Sequence, residues 1–433
     1  MNFAESVRYL YSLGNEVIAM KLGLDNISRL LGALGNPESR YLKVQVAGTN
    51  GKGSVCAFLE AVCLEAGIRT GMTTSPHLIS VTERIRIGGR EISEPEFADL
   101  ATRVRDASEE LFAAGAIGSV PTYFEQVTAI ALLEFAEAGV ELAILETGLG
   151  GRFDAVTAAR ADLVALTPVG LDHQKILGGT VGLIAAEKAA IIRPDTPVVV
   201  GDQPAEALEV ILEKCRAEGV VPVLADFPSE VRSVDGGFAT VDFVGGRGYE
   251  GVRLGLAGRH QISNARVAIA LAERLSERFG LPIGEREVRL GLAKARHRGR
   301  LERVGRFLLD GAHNEAGARA LAEFLDEAGM RPVTVFGAMR DKDIADIAAI
   351  LFPRCSHLVI APPANERSMP APEIARIASR HLEPETITEC ADVPAALTRA
   401  AEIAGDRTVL VTGSLYLIGE ALAAVDAATA RNR

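Results

Sequence analysis

The run Leu42-Lys43-Val44-Gln45-Val46-Ala47 leads without a break into Gly48-Thr49-Asn50-Gly51-Lys52-Gly53-Ser54. The first six residues lean apolar and β-branched, as a buried strand does. After Ser54, the apolar residues Val55, Phe58, Leu59 and Val62 recur at helical spacing, and Gly67 supplies a stop. Strand, glycine-rich turn and helix, in that order, form the context of a phosphate-cradling loop. Glycines let backbone N–H groups approach phosphate oxygens, and the helix N-terminus adds partial positive charge. Lys52 is expected to reach the terminal phosphates of ATP, with the Ser54 hydroxyl near phosphate or Mg²⁺. The spacing departs from the usual pattern, because Gly48 precedes Gly51-Lys52 by only three positions and Gly53 intervenes before Ser54.

Outward from this loop, short β-branched runs alternate with amphipathic helical stretches, which predicts an α/β fold with largely parallel sheets. Strands are expected at 42–47, 142–146, 163–167 and 198–200, with helices at 54–66, 94–114 and 123–138. Residues 231–256 alternate in short segments around Gly-Gly and Arg-Gly turns, as antiparallel hairpins do, and a helix follows over 263–279. A second series begins after Arg300, with strands at 307–309, 333–336, 357–360 and 408–411. The basic segment 294–300, KARHRGR, separates the two series. This gives domains at 1–296 and 297–433, with Thr429–Arg433 a frayed end.

The chain has 433 residues, long enough for two or three domains. Its net charge is 46 − 57 = −11. An acidic chain is repelled by phosphate backbones, so nucleic acid is not an expected partner. Trp is absent and aromatics make up 5%, which argues against stacking platforms for single strands. Five scattered cysteines without a Cys-x-x-Cys predict a reducing compartment, hence the cytoplasm, and no zinc. Cys56 and Cys63 share one helix face as small buried hydrophobes. No apolar run approaches a membrane span, and the beginning MNFAESVRYLYSL does not read as a signal peptide.

Three further positions carry chemistry. Glu146 ends a strand that runs into Thr147-Gly148-Leu149-Gly150-Gly151-Arg152, where open α/β sheets bind ligands. A carboxylate there suits Mg²⁺; the alternative is an ion pair with Arg152. The next strand leads to Asp172-His173, and His173 is either a metal ligand or a structural histidine. Glu187-Lys188 has the composition of a solvated helix face, yet Lys188 is flanked by apolar residues, and a buried lysine needs a specific reason.

These residues fall within a longer motif series: GLDNISRLLGALGNP (23–37), VAGTNGKGS (46–54), SPHLISVTERI (75–85), TYFEQVTAIAL (122–132), LETGLGGRFDA (145–155), LDHQKILGGTVGLIAAEKAAII (171–192), GRHQISNA (258–265), HRGRLE (297–302), LLDGAHN (308–314) and GAMRDKD (337–343). The series resembles the dihydrofolate synthase/folylpolyglutamate synthase family, a branch of the Mur ligases, over nearly the whole chain. The resemblance implies a P-loop-type central ATPase domain followed by a smaller Rossmann-like α/β domain. It implies an ATP-dependent ligase in folate biosynthesis that phosphorylates a carboxylate and lets the amine of L-glutamate attack the acyl phosphate. The substrate is dihydropteroate, tetrahydrofolate (poly)glutamates, or both.

Carried over by residue, Thr49, Asn50, Gly51, Lys52, Gly53, Ser54, Asn264, Arg300 and Asp310 contact ATP. Ser75, Glu146 and His173 bind Mg²⁺, with a monovalent cation as a further expectation. Lys188 becomes carbamylated, and Lys188, His173 and Lys52 act in catalysis. Thr122, Tyr123, Phe124, Glu125 and Asp154 line the pterin or folate site. His313 is expected in the active site without a defined role; a turn or capping function for Asp310–Asn314 is the alternative. ATP ligands in both domains imply closure before chemistry. The expected partners are small molecules acting on a monomer.

Two positions depart from the family pattern. Asp154-Ala155-Val156-Thr157 replaces the usual Asp-Ala-Thr-Asn, which bears on local folate contacts, and Lys188-Ala189-Ala190 replaces Lys-Ala-Gly. A peptidoglycan-type Mur ligase carries a nucleotide-sugar domain ahead of the ATP loop, whereas the residues before Gly48 read as helices. A P-loop kinase or hydrolase does not explain the second α/β series. A non-catalytic descendant does not explain the competent side chains.

Overall fold

The computed structural model describes residues 1–14, 23–245 and 247–431. The chain divides into two compact units. The first comprises 1–228, 243–252 and 263–295, and the second 229–242, 253–262 and 296–433. The segments 229–242 and 253–262, which the sequence assigns to the amino-terminal side, cluster with the second unit. Linear sequence does not reveal such crossings, because the clustering depends on which residues the fold brings together.

The first unit is built on an eight-stranded sheet of β1 (Leu42–Ala47), β2 (Thr70–Thr73), β3 (Ile85–Ile87), β4 (Arg90–Glu91), β5 (Leu142–Glu146), β6 (Leu163–Leu166), β7 (Val198–Val200) and β8 (Val223–Leu224). Their order is β4-β3-β2-β5-β1-β6-β7-β8. The pairs from β2 to β8 are parallel, and the β2–β3–β4 edge is antiparallel. The central strands are buried on both faces, the expected state of a parallel sheet covered by helices.

Strand β2 escapes sequence reading because Thr-Gly-Met-Thr lacks a β-branched run. Its Gly71 is required by packing: a Cβ there would lie 2.5 Å from the Phe135 ring on the helix Tyr123–Glu137. Cys56 and Cys63 are both buried on the helix Lys52–Glu65, as their spacing predicts. That helix starts two residues before the expected position, so Lys52 is its first residue and Gly51 its cap.

The stretch expected to form short hairpins contains three short strands, β9 (Ser229–Asp235), β10 (Phe238–Phe243) and β11 (Tyr249–Arg253), in the order β11-β10-β9. Burial alternates along β10, so one face is covered and the other is more open. The second unit contains a six-stranded sheet of β12 (Glu302–Val304), β13 (Phe307–Asp310), β14 (Val333–Phe336), β15 (His357–Ile360), β16 (Ile387–Glu389) and β17 (Val409–Thr412). Its order is β12-β13-β17-β14-β15-β16, parallel except at the β12 edge. A core of Leu308, Leu321, Phe324, Phe336, Ile347, Phe352 and Leu358 packs around it. The last helix, Leu415–Arg431, extends through much of the expected frayed end, and residues 432–433 lie outside the described residues.

Candidate active site

Four adjacent strands of the first unit, β2, β5, β1 and β6, run parallel and end on the same edge of the sheet. Ser75 follows β2, Glu146 ends β5, Gly48 follows β1 and His173 follows β6. Sequence positions about 100 residues apart therefore meet along one carboxyl edge, where α/β sheets bind ligands.

The Gly48–Ser54 loop is held tightly. Gly48 has φ +150°, and a Cβ there would lie 1.9 Å from Thr167 Oγ1 and 2.8 Å from the Thr167 carbonyl oxygen. Gly51 has φ +88°, and its Cβ would meet Asn264 Oδ1 at 2.2 Å. Both positions require glycine for space as well as for backbone conformation. The amides of Thr49 and Asn50 donate to the Pro168 carbonyl at 2.9 and 3.3 Å. The Thr49 hydroxyl exchanges hydrogen bonds with the backbone of Gly170 at 3.1 and 3.0 Å. Thr49 thus secures the loop to the segment after β6. The loop leads into the amino-terminal turn of the helix Lys52–Glu65, and the first turn of a helix is the arrangement that receives anions.

Two lysines converge on one backbone oxygen. Lys52 Nζ donates to the carbonyls of Gly48 and Thr49 at 3.1 and 3.2 Å. Lys188 Nζ, on the helix Val181–Ala189, donates to the Gly48 carbonyl at 2.8 Å. Lys188 is only 5% exposed. Burial, reinforced by the charge of Lys52, lowers its pKa to about 7. Its neighbour Glu187 faces outward and pairs with Arg152 at 2.9 Å. Arg152 therefore pairs with Glu187, whereas the alternative reading of Glu146 gave it that carboxylate. Gly151 lets the two segments pack, since a Cβ there would lie 2.8 Å from the Glu187 carbonyl oxygen and 2.9 Å from that of Lys188.

Glu146 is buried, and its Oε2 accepts the Ser75 N–H at 3.0 Å. The Ser75–Pro76 peptide is cis. His173 adopts the left-handed conformation at φ 51°. Its amide donates to Asp172 Oδ1 at 2.8 Å, and its Nε2 lies 3.8 Å from the same oxygen. The buried Glu146 carboxylate is an oxygen donor of the kind that fits a hard divalent cation retaining several waters. Among the described residues there is no group of three or more His, Cys, Asp or Glu side chains arranged to hold a metal.

The five residues expected around a pteroyl group divide by task. Thr122 and Glu125 form a capping box on the helix Tyr123–Glu137: the Thr122 amide donates to Glu125 Oε2 at 2.7 Å, and the Glu125 amide to Thr122 Oγ1 at 3.3 Å. Phe124 and Asp154 flank Gly148, whose Cβ would meet the Phe124 ring at 2.7 Å and Asp154 Oδ2 at 3.2 Å. Asp154 accepts the amides of Leu149 and Val156 at 2.8 and 3.0 Å. Burial pushes it up to about 6, and those bonds oppose the shift. At the departures from the family pattern, Val156 is buried, and Thr157 donates to the Gly151 carbonyl at 2.7 Å and accepts from Gln45 at 2.8 Å. Tyr123 is buried against Tyr11 and Arg84. Tyr11, His77 and Arg84 went unassigned in the sequence; His77 and Arg84 lie in the motif 75–85, which was their only signal.

Asn264 belongs to the first unit, against Gly51. Arg300 and Asp310 belong to the second. Asp310 ends β13 and accepts the amides of Leu301 and Ala312, each at 3.0 Å. Burial raises its pKa, and the Arg300 charge opposes that. His313 Nδ1 donates to the Gly311 carbonyl at 2.7 Å, and Asn314 caps the helix Glu315–Glu327. The turn and capping roles of this stretch are thus realised. His260 sits in the same unit, its pKa lowered to about 4 by burial and by Arg300.

Residues 46–272 match the Mur ligase middle domain, and residues 299–415 match the Mur ligase glutamate ligase domain. The chain is 38% identical over 434 residues to a probable bifunctional folylpolyglutamate synthase/dihydropteroate synthase of Haloferax volcanii, covering 97% of this chain and 50% of that protein. It thus spans about half the length of the first curated relatives it matches. It is 37% identical over 342 residues to a dihydrofolate synthase/folylpolyglutamate synthase of Bacillus subtilis, covering 76% of this chain and 78% of that protein. Among solved structures, Escherichia coli FolC in complex with DHPP and ADP superposes with a TM-score of 0.86 at 29% identity, covering 99% of each chain.

Proposed function

The chain belongs to the Mur ligase family, in the branch of the dihydrofolate synthases/folylpolyglutamate synthases, and on this premise we propose that it is an ATP-dependent ligase joining L-glutamate to a pteroyl carboxylate. A carboxylate oxygen of the pteroyl substrate attacks the γ-phosphorus of ATP, and ADP leaves. The amine of glutamate then attacks the carbonyl carbon of the acyl phosphate, phosphate leaves, and the amine gives up a proton as the amide forms. The observation that carries this reading is the convergence of Lys52 and Lys188 on the Gly48 carbonyl, at the strand edge shared with Ser75 and Glu146.

Transfer of a phosphoryl group to a carboxylate brings two anions together, so fixed positive charge must precede it. Lys52 and the first-turn amides bind the polyphosphate, and Asn264 braces the loop through Gly51. Ser75, Glu146 and His173 would hold Mg²⁺, which when bound neutralises phosphate charge. Phe124 and Asp154 orient the pterin, and Thr122, Tyr123 and Glu125 fix the helix that carries Phe124.

Lys188 is the site of carbamylation. Near neutral pH a large share of this buried amine is unprotonated, so its lone pair can attack CO₂ and release a proton. The carbamate keeps one N–H for the Gly48 carbonyl and replaces a cation by an anion. A cytoplasmic monomer, with a monovalent cation as a further ligand, completes the reading.

The test is ADP release by purified protein with MgATP and glutamate, run in parallel with dihydropteroate and with tetrahydrofolate. Release that requires both glutamate and either pteroyl compound supports a bifunctional ligase. ADP release independent of glutamate would indicate a hydrolase and sink the proposal. The name of the Haloferax relative, which pairs folylpolyglutamate synthase with dihydropteroate synthase, favours a second reading as a folylpolyglutamate synthase alone. That reading expects ADP with tetrahydrofolate only.

A further inference from the structure

Four side chains of the first unit close a ring beside the candidate site, and the roles above do not explain it. Arg84 Nε donates to His77 Nδ1 at 2.8 Å. A guanidinium nitrogen only donates, so Nδ1 is the acceptor and the neutral imidazole carries its proton on Nε2. Nε2 faces the Tyr11 hydroxyl at 3.4 Å. Tyr11 stacks on Tyr123, with ring centroids 5.5 Å apart and planes 7° from parallel. The Arg84 guanidinium carbon lies 5.3 Å from the centre of the Tyr123 ring, which closes the circuit.

The ring joins three elements that are remote in sequence: the helix Phe3–Ser12, the turn from β2 to β3, and the first turn of the helix Tyr123–Glu137. Its ends adjoin the two halves of the site. His77 lies two residues beyond Ser75, whose amide donates to Glu146. Tyr123 immediately precedes Phe124, which packs at Gly148 opposite Asp154. The turn between is stiff, because the Glu83 carboxylate accepts the amides of Leu78, Ile79 and Ser80 at 2.8, 2.7 and 2.7 Å. Arg84 itself is only 3% exposed. A guanidinium held so deeply fixes direction as well as charge, which an ammonium cannot reproduce.

We propose that Arg84 is a positioning residue that, through His77 and Tyr123, sets the Ser75 turn at a fixed spacing from the helix carrying Phe124. The carboxylate of a pteroyl substrate held at Phe124 and Asp154 then meets the cation held by Ser75 and Glu146. This rests on the ligase reading given above. No roles are exchanged in the ring during catalysis; its contribution is geometric.

The test compares full-length wild type with Arg84→Lys, Tyr11→Leu and the double variant. Mn²⁺ binding in the presence of ADP is followed by electron paramagnetic resonance, beside KM for each substrate and thermal melting. Arg84→Lys is expected to weaken Mn²⁺ binding roughly 10-fold, in the range seen when a group supporting a metal ligand is removed. The KM for the pteroyl substrate should rise with it, while KM for glutamate stays within about twofold. Tyr11 is 57% exposed, so Tyr11→Leu breaks the ring without threatening the fold and should shift the same two quantities. The double variant should be no worse than Arg84→Lys alone, since ring members act as a unit.

Unchanged Mn²⁺ affinity in a folded Arg84→Lys protein would overturn the proposal, as would additive effects or an equal rise in every KM. A wild type that binds Mn²⁺ but releases no pteroyl-dependent ADP would overturn the ligase reading instead, leaving the metal measurement to judge Arg84.

Discussion

Lys188 Nζ donates to the Gly48 carbonyl oxygen at 2.8 Å, across 140 residues of sequence. The contact ties the Gly48–Ser54 loop to the helix Val181–Ala189, and it keeps an amine in a buried position where its charge is disfavoured. Replacement by alanine is expected to lower turnover by about 100-fold or more, as loss of a group that organises transition-state charge does, with the fold intact by circular dichroism. Short-chain carboxylates should restore part of the activity by standing in for the carbamate. Wild-type turnover in Lys188→Ala would remove the carbamate assignment.

Carbamylation also has a pH signature. The amine is unprotonated above about 7, so with ¹³C-bicarbonate a carbamate resonance should be strong at higher pH. It should fade as pH falls through 7, because protonation of the nitrogen releases CO₂. Lys52 is one cause of the lowered pKa. Lys52→Met should therefore move the midpoint to higher pH, while also impairing nucleotide binding and ligation. A midpoint unmoved by Lys52→Met would show that desolvation alone governs Lys188.

Gly48 tests the loop's packing. Gly48→Ala forces a side chain into Thr167 from a left-handed backbone, and the strain and overlap together should cost about 3 kcal/mol or more. Thermal melting would register this as a clear drop accompanied by weaker ADP binding. An alanine variant with wild-type melting would mean that the loop relaxes more freely than its contacts imply.

Glu146→Gln preserves an acceptor for the Ser75 amide while removing the charge. Mn²⁺ affinity measured with ADP should fall by roughly 10-fold or more, with melting nearly unchanged. Loss of melting temperature without loss of metal affinity would make Glu146 a structural carboxylate.

Asp154 has a structural role and, in the proposed reading, one in recognising the pterin. Its folded pKa of about 6 stands above its ordinary 3.8. The folded protein thus takes up protons that the unfolded chain does not between those values. Its contribution to stability therefore declines as pH rises from about 4 to 6 and stays at its lowest above that. Asp154→Asn should flatten this part of the stability profile. It should also lower stability by about 1–3 kcal/mol, because an amide nitrogen now faces one of the two donors. The KM for the pteroyl substrate should rise while KM for ATP holds. Equal rises in both would argue against a pterin role.

Local pattern carried much of this molecule. The strand run at 42–47, the glycine spacing after it and the apolar repeat behind Ser54 determine a strand, a tight glycine turn and a helix, because each depends on neighbours in sequence. The apolar flanks of Lys188 likewise marked it as buried. The fold had to decide what Lys188 touches, since nothing local distinguishes the Gly48 carbonyl from any other. The pairing of Arg152 with Glu187 rather than Glu146, and the capping box that occupies Thr122 and Glu125, depend on side-chain directions that spacing does not encode. Strand β2 was illegible for a related reason: Gly71 is selected by the Phe135 ring above it, not by strand propensity. The ring of Tyr11, His77, Arg84 and Tyr123 is the extreme case. Sequence determined that these side chains exist and what each can donate or accept, but only the packing of three remote segments brought them into contact.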